Sequence, residues 1–140
     1  TLITSSAASD VYKRQIKVST VAVSSLFFLI LLKHCIVDLW MQSLLTYQQK
    51  KFVYASLSTQ IHYLQHGIGT LLVLLFFIPW PLAILFGIFD HLAHWHIDFL
   101  KSSTQRKFNI AQHSKGYWFL SSIDQGLHYL TYYIIILLVS

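Results

Sequence analysis

The sequence contains no glutamate and few charged residues of any kind. Charged residues make up 11% of its 140 residues, against roughly a quarter in soluble domains. The single cysteine, Cys35, excludes an intrachain disulfide, and both prolines lie in Pro79-Trp80-Pro81, which predicts a tight turn. No basic stripe with interleaved solvent-facing aromatic residues is present, so no nucleic-acid partner is expected. Hydrophobic residues reach 55%, and this composition predicts an integral membrane protein.

The first fifteen residues differ from the rest of the chain. Residues 1–15, TLITSSAASDVYKRQ, are polar and have neither the apolar core nor the cleavage site of a signal peptide. The string SSAASDVYKRQ resembles translated sequencing adapter that recurs at the ends of unrelated metagenomic translations, and an ordinary disordered tail is the alternative. Residues 1–15 are therefore left out of the functional interpretation, and we expect the natural N-terminus to be missing. Residues 16–140 form the predicted domain.

Four segments of this domain are apolar and long enough to cross a bilayer, which needs about 20 helical residues. They are residues 16–42, 60–78, 81–101 and 117–139. The last two reach that length only if their aspartate and histidine residues are counted inside the span. We therefore expect these polar residues at membrane depth, facing the interior of the bundle. The predicted fold class is an all-α, integral membrane four-helix bundle.

The aspartate and histidine residues lie toward the C-terminal ends of the first and third spans and toward the N-terminal ends of the second and fourth. Because consecutive spans run in opposite directions, all these positions fall on the same side of the membrane. The basic residues of the loops also lie on that side, namely Lys50, Lys51, Lys101, Arg106, Lys107 and Lys115. The positive-inside rule places this side in the cytoplasm. We expect a bacterial inner (cytoplasmic) membrane protein with both termini outside.

Helical spacing gathers the polar residues on one face of each span, because residues four apart lie on the same face. Imidazole and carboxylate are the usual protein ligands of zinc, iron and manganese, and facing helices of a bundle are a common place for such sites. The predicted metal ligands are His34, Asp38, His62, His66, His91, His94, Asp98, Asp124 and His128. His96 is not among the predicted ligands, because it points to the opposite side of its helix.

Nine candidate ligands are too many for one ion. They suit two metal ions, or one ion surrounded by further residues, such as Gln42 and Asp90, that orient the imidazoles by hydrogen bonds. A metal-free hydrogen-bonded or proton-relay core is an alternative, and haem or another cofactor is a third. Lys101 follows Asp98 by three residues, and we expect its side chain to extend to the cytoplasmic interface.

A weak internal repeat links the two halves of the chain. LKHCIVDL at residues 32–39 and LAHWHIDF at residues 92–99 both end a predicted span. Each is followed, after a basic loop, by a span that opens with HxxxH or DxxxH. Two related helical hairpins about an axis along the membrane normal would bring the HxxxD motifs together. Convergence on a helical pair is the alternative to duplication.

Four motifs resemble those of a known family. KHCIVDLWMQ, IHYLQHG, HWHIDFLK and SIDQGLH are similar to the HxxxD…Q, HxxxH, HxxxD..K and DQxxH motifs of the domain of unknown function 3307 family, which groups small bacterial and phage membrane proteins. The resemblance covers nearly everything after Gln15. It implies a four-helix membrane protein and adds Gln125 to the residues that orient the ligands. His91 and His96 lie outside the pattern, and the family has no settled activity.

The leading hypothesis is a metal-dependent membrane protein. One form of this hypothesis is an enzyme of the hydrolase or oxidase type that acts on a lipid or another membrane-embedded substrate. A bound metal would activate water for hydrolysis or, in the case of iron, oxygen for oxidation. Whether the protein is an enzyme at all is left open. The alternatives are a proton or ion channel or transporter that uses the same layer as a relay, and a metal-free structural or phage accessory membrane protein.

Overall fold

The structure is a computed structural model that describes residues 20–41, 54 and 57–140. These residues form four α-helices and no strand, which confirms the all-α prediction. They are α1 (Thr20–Cys35), α2 (Leu57–Leu74), α3 (Trp80–Lys107) and α4 (Lys115–Val139), and α1 continues as a π-helical segment, Ile36–Met41. The predicted tail, residues 1–15, lies outside the described residues, as does Gln42.

Capping residues and backbone conformation, and not the polarity of the sequence, determine where α3 and α4 begin and end. Pro81 lies in the first turn of α3, where the N–H that proline lacks has no helical partner to lose. α3 extends six residues beyond its predicted end at residue 101, because a polar run without glycine or proline does not stop a helix. The stop follows at Asn109, which has a left-handed φ of 49°. Ser114 starts α4 by accepting a hydrogen bond from the backbone N–H of Tyr117.

The bundle has an apolar end and a polar end. The first half of α1 and the second halves of α2 and α4 meet the start of α3 in an apolar core. Its buried members are Leu26, Ile30, Leu74, Ile78, Ala83, Tyr132, Ile135, Ile136 and Val139. The opposite halves of the helices bury histidine, aspartate and lysine instead. The candidate site is therefore built into the interior of the bundle and not into its surface.

The outer faces of the helices are strongly apolar. Phe76 and Leu39 are 85% and 73% exposed, and Trp40 and Leu138 are exposed as well. One segment of the described residues, Ala22–Met41, is long and apolar enough to cross a membrane by length and composition. The three other helices also carry buried polar residues, which lower the mean hydropathy of these helices.

Candidate metal centre

Histidine and aspartate side chains from three helices converge inside the bundle. His34 and Asp38 come from α1 and the π-helical segment, His66 from α2 and His94 from α3, and one potential ligand atom of each lies within 4.8 Å of all the others. His66 Nε2 is 2.9 Å from Asp38 Oδ1, and His62 Nε2 is 3.2 Å from the same oxygen. The π-helical segment that carries Asp38 is a form of helix found frequently at functional sites.

A second group lies directly beside the first and shares His94 with it. His94, Asp98 and His128 also offer ligand atoms that lie within 4.8 Å of one another. The Nε2 atom of His128 is 3.3 Å from Asp98 Oδ1. Six of the nine predicted ligands therefore lie in two adjoining groups, either of which could hold a metal ion.

Three imidazole rings are stacked through the two groups. The ring centroids of His66 and His94 are 3.5 Å apart, and those of His94 and His128 are 3.8 Å apart, with interplanar angles of 19° and 18°. All three side chains are buried. Neither ring nitrogen of His94 makes a hydrogen bond to any residue that the structure describes. The nearest carboxylate oxygens, on Asp90 and Asp38, lie at 3.7 and 3.9 Å.

Burial of the His94 ring nitrogens without a hydrogen bond costs free energy, and carboxylates at 3.7 and 3.9 Å do not replace the hydrogen bonds that water would make. Coordination of a cation would supply the missing interaction to one ring nitrogen. A neutral imidazole beside carboxylates is also the combination that binds zinc, iron and manganese. The chemistry of the side chains therefore fits a metal ion.

Two of the four buried or half-buried aspartates already have a lysine as counterion. Lys33 Nζ is 2.8 Å from Asp90 Oδ2, which also accepts a 2.6 Å hydrogen bond from Thr70. Lys101 Nζ is 2.8 Å from Asp124 Oδ2. Asp38 and Asp98 lie against histidines instead, so these two are the carboxylates placed to meet a bound cation.

Lys33 is a buried residue of the site that the sequence reasoning missed. Its side chain is 7% exposed, and it passes over Gly69, where a Cβ atom would lie 2.7 Å from Lys33 Cγ. The available signal was a lysine inside a predicted span, directly before a proposed ligand. Lys101, which we expected to extend to the cytoplasmic interface, pairs with Asp124, because that buried carboxylate needs a cation within reach.

The remaining predicted ligands lie near the two groups without belonging to them. His62 contacts Asp38, and Asp124 pairs with Lys101 while its Oδ1 lies 3.8 Å from His128 Nε2. His91 instead lines a groove between α2 and α3.

Of the predicted orienting residues, Gln125 lies closest to the ligand groups. Its Oε1 atom is 3.1 Å from His34 Nε2, and its amide donates to Asp124. Asp90 is held by Lys33 and faces His94. His96 is exposed and contacts the Leu92 carbonyl, on the side of α3 away from the ligands, as its spacing predicted.

No protein-family model, curated protein or solved structure matches the chain. The resemblance to the domain of unknown function 3307 family therefore remains an interpretation of four motifs. The function has to be inferred from the arrangement of the side chains.

Proposed function

We propose that the protein is an integral membrane protein whose four-helix bundle binds a divalent transition metal ion in its interior. The observation that carries this proposal is the pair of ligand groups that share His94, a buried imidazole with no hydrogen bond among the described residues. Both groups combine imidazole with a carboxylate. The polar end of the bundle then serves to bind an ion.

The distribution of polarity supports the membrane location. Soluble proteins bury apolar side chains and expose charged ones, whereas here histidine, aspartate and lysine are buried and Phe76, Leu39 and Leu138 are exposed. An apolar exterior of this kind suits lipid. Most of the histidine and aspartate residues of α2, α3 and α4 are buried inside the bundle, so the low mean hydropathy of these helices does not come from charge on the lipid-facing surface. The basic residues Arg106 and Lys107 support a cytoplasmic polar end.

The ligand types restrict the metal. The only cysteine, Cys35, is exposed, so thiolate is no part of the ligand groups. Imidazole and carboxylate without thiolate favour zinc, iron or manganese. Such an ion activates bound water for hydrolysis or, in the case of iron, reacts with oxygen. We propose chemistry of the hydrolase or oxidase type.

A groove between α1 and α2 supports a membrane-embedded substrate. It has a volume of about 370 Å³ and is lined by apolar residues that include Val37, Ile68 and Leu72. Lys33 lies at the groove, and Val37 precedes the proposed ligand Asp38 in the chain. An acyl chain lying in this groove would place a lipid head group close to the metal.

Elemental analysis of the protein purified in detergent tests the proposal. Wild type should carry a stoichiometric transition metal, and His66→Ala and His94→Ala should each lose it. His113→Ala is the matched control, because His113 is an exposed loop residue outside both groups. Helical content by circular dichroism distinguishes loss of metal from loss of fold. Folded wild type without metal, even after incubation with zinc, iron and manganese, would contradict the proposal.

A second candidate function, proton or ion transport, is favoured by a continuous series of polar contacts. Lys33 donates to Tyr132 at 3.2 Å, and Tyr132 contacts His34 at 2.9 Å. His34 contacts Gln125, which donates to Asp124. Protein reconstituted in liposomes would then conduct protons, and Tyr132→Phe would abolish the flux. This candidate is ruled out if liposomes that contain the wild-type protein conduct protons no faster than liposomes without protein.

A further inference from the structure

The internal repeat relates three residues of the first ligand group, His34, Asp38 and His66, to the three residues of the second, His94, Asp98 and His128. His66 Nε2 lies 2.9 Å from Asp38 and His128 Nε2 lies 3.3 Å from Asp98, so each half joins its HxxxD aspartate to a histidine of the following helix. Under the same correspondence the HxxxD histidines of the two halves, His34 and His94, are equivalent. They would be expected to play the same role if the halves were identical.

The surroundings of these two histidines differ. Lys33 precedes His34, whereas Ala93 precedes His94, and Tyr132 of the second half corresponds to Thr70 of the first. As a result, His34 has polar contacts on both ring nitrogens, through Tyr132 and Gln125. His94 has no hydrogen bond on either nitrogen within the described part of the chain.

The direction of the hydrogen bonds around His34 follows from the lysine. The Lys33 ammonium can only donate, so the Tyr132 oxygen accepts from it at 3.2 Å. Among the described residues, His34 Nδ1 at 2.9 Å is then the one acceptor within reach of the tyrosine hydroxyl proton, so this nitrogen is assigned as the acceptor. A neutral imidazole has one ring proton, which must therefore be on Nε2. It faces Gln125 Oε1 at 3.1 Å and Asp38 Oδ2 at 3.2 Å.

This tautomer leaves His34 no lone pair for a metal ion. Nδ1 accepts from Tyr132, and Nε2 carries the proton. Coordination through Nε2 would move the ring proton to Nδ1, where it would face a tyrosine oxygen that already accepts from Lys33. The tyrosine proton would then have no acceptor, although Tyr132 is fully buried, and such a loss is costly.

We propose that His34 is a positioning residue that holds Asp38 by hydrogen bonding, and that Lys33 and Tyr132 fix it in this role. The ion is then bound by Asp38, His66 and His94 of the first group. Asp98 and His128 of the second group lie beside these three ligands. Three protein ligands leave a coordination position open for water or substrate, as in catalytic sites. This inference rests on the proposed metal-binding function.

Nitrogen-15 NMR of histidine-labelled protein in detergent tests the tautomer directly. His34→Gln identifies the His34 signals, which should show a protonated Nε2 both before and after zinc is added. The signals of His94 should change on addition of zinc. A His34 Nε2 that loses its proton and takes a metal-bound shift overturns the inference. If zinc changes no histidine signal, the proposed metal function itself has failed.

Cobalt(II) absorption separates ligands from positioning residues. Loaded His34→Gln should keep the wild-type band positions, because glutamine still offers a donor to Asp38, whereas His66→Gln should change them. Tyr132→Phe removes the hydroxyl that fixes the His34 tautomer and should bind cobalt about 10- to 100-fold more weakly, the usual effect of losing a residue that orients the site. Tyr133→Phe, on the exposed side of α4, is the matched control and should bind normally. The inference fails if His34→Gln alters the bands as His66→Gln does.

Discussion

At the scale of single residues, the bundle buries charge and balances it over short distances. Lys33 and Asp90 are 7% and 0% exposed and form a 2.8 Å ion pair. A pair of this kind is costly to bury and still more costly to break, because one partner alone remains as an uncompensated charge in a medium of low polarity. The pair is also the point where the apolar core meets the polar end of the bundle.

Removal of one partner from this ion pair should therefore be severe. Lys33→Met should lower the free energy of unfolding by about 3–5 kcal/mol, since it leaves Asp90 charged and buried. The double variant Lys33→Met/Asp90→Asn should recover much of the loss, because neither charge remains. Denaturant titration in detergent, followed by circular dichroism, measures both. Lys107→Met, at an exposed position, serves as the control and should stay within about 0.5 kcal/mol of wild type.

Equal stability of the single and double variants would contradict this view of the pair. It would mean that Asp90 does not need Lys33 as its counterion.

The sequence predicted which residue types meet in the site but not which partner each one takes. The i, i+4 spacing placed His34 with Asp38 and Asp124 with His128, because helical geometry fixes residues of one helix relative to one another. The pairing of Lys33 with Asp90, and of Lys101 with Asp124, depends on how deeply neighbouring helices overlap. A pattern within one helix contains no information on that overlap.

At the scale of helices, close approach of α2 and α3 positions His66 and His94 for stacking. Gly67 and Gly87 face each other, and a Cβ atom on Gly67 would lie 2.7 Å from the Gly87 carbonyl oxygen. Small residues of this kind let helix backbones come together. The contact lies one residue beyond His66, so it controls how near the two imidazoles come.

Gly67→Ala should therefore weaken both the fold and the metal site. The added methyl group meets a backbone oxygen and the Cβ atom of His91 at 2.9 Å, neither of which can move cheaply. We expect a loss of about 1–3 kcal/mol in unfolding free energy and weaker metal binding, measured by denaturant and metal titrations.

Gly126→Ala provides the matched control in α4. A Cβ atom there meets nothing within 4 Å, so the substitution should be neutral or stabilise by up to about 1 kcal/mol through helix propensity. A loss in Gly126→Ala as large as that in Gly67→Ala would contradict the account, because helix propensity favours alanine at both positions and only Gly67 lies at the close α2–α3 contact.

Helix ends were harder to predict than helices. The apolar segments of the sequence predicted four helices, and the described residues form four; one segment, Ala22–Met41, is long and apolar enough to cross a membrane. The ends of the predicted helices were placed where polarity begins, whereas the structure ends α3 at Lys107 and begins α4 after the Ser114 cap. Polarity marks the depth in a bilayer, and hydrogen bonding determines where the helix stops.

At the scale of the whole molecule, the interior of the bundle is polar toward one end and apolar toward the other. The loop between α3 and α4 and the polar ends of the helices lie together, and the predicted cytoplasmic side is the one that carries Arg106, Lys107 and Lys115. The C-terminal end of α4 lies at the opposite, apolar end of the bundle. The proposed topology therefore separates the α3–α4 loop from Ser140 by the membrane.

Single-cysteine labelling tests this topology. In a Cys35→Ser background, an impermeant maleimide added to intact cells should label Ser140→Cys but not Ala111→Cys in the α3–α4 loop. Disruption of the membrane should make the second position reactive. Labelling of both positions, or of Ala111→Cys alone, in intact cells contradicts the proposed orientation.

The central claim is that histidines of the buried groups bind a metal ion, and X-ray absorption at the metal edge tests it most directly. Protein loaded with zinc should show nitrogen and oxygen neighbours at about 2.0–2.2 Å, with the outer-shell scattering of imidazole rings. His94→Ala should lose part of the imidazole scattering, and His113→Ala should match wild type. A spectrum of zinc surrounded only by water oxygens, identical in wild type and His94→Ala, would contradict the account.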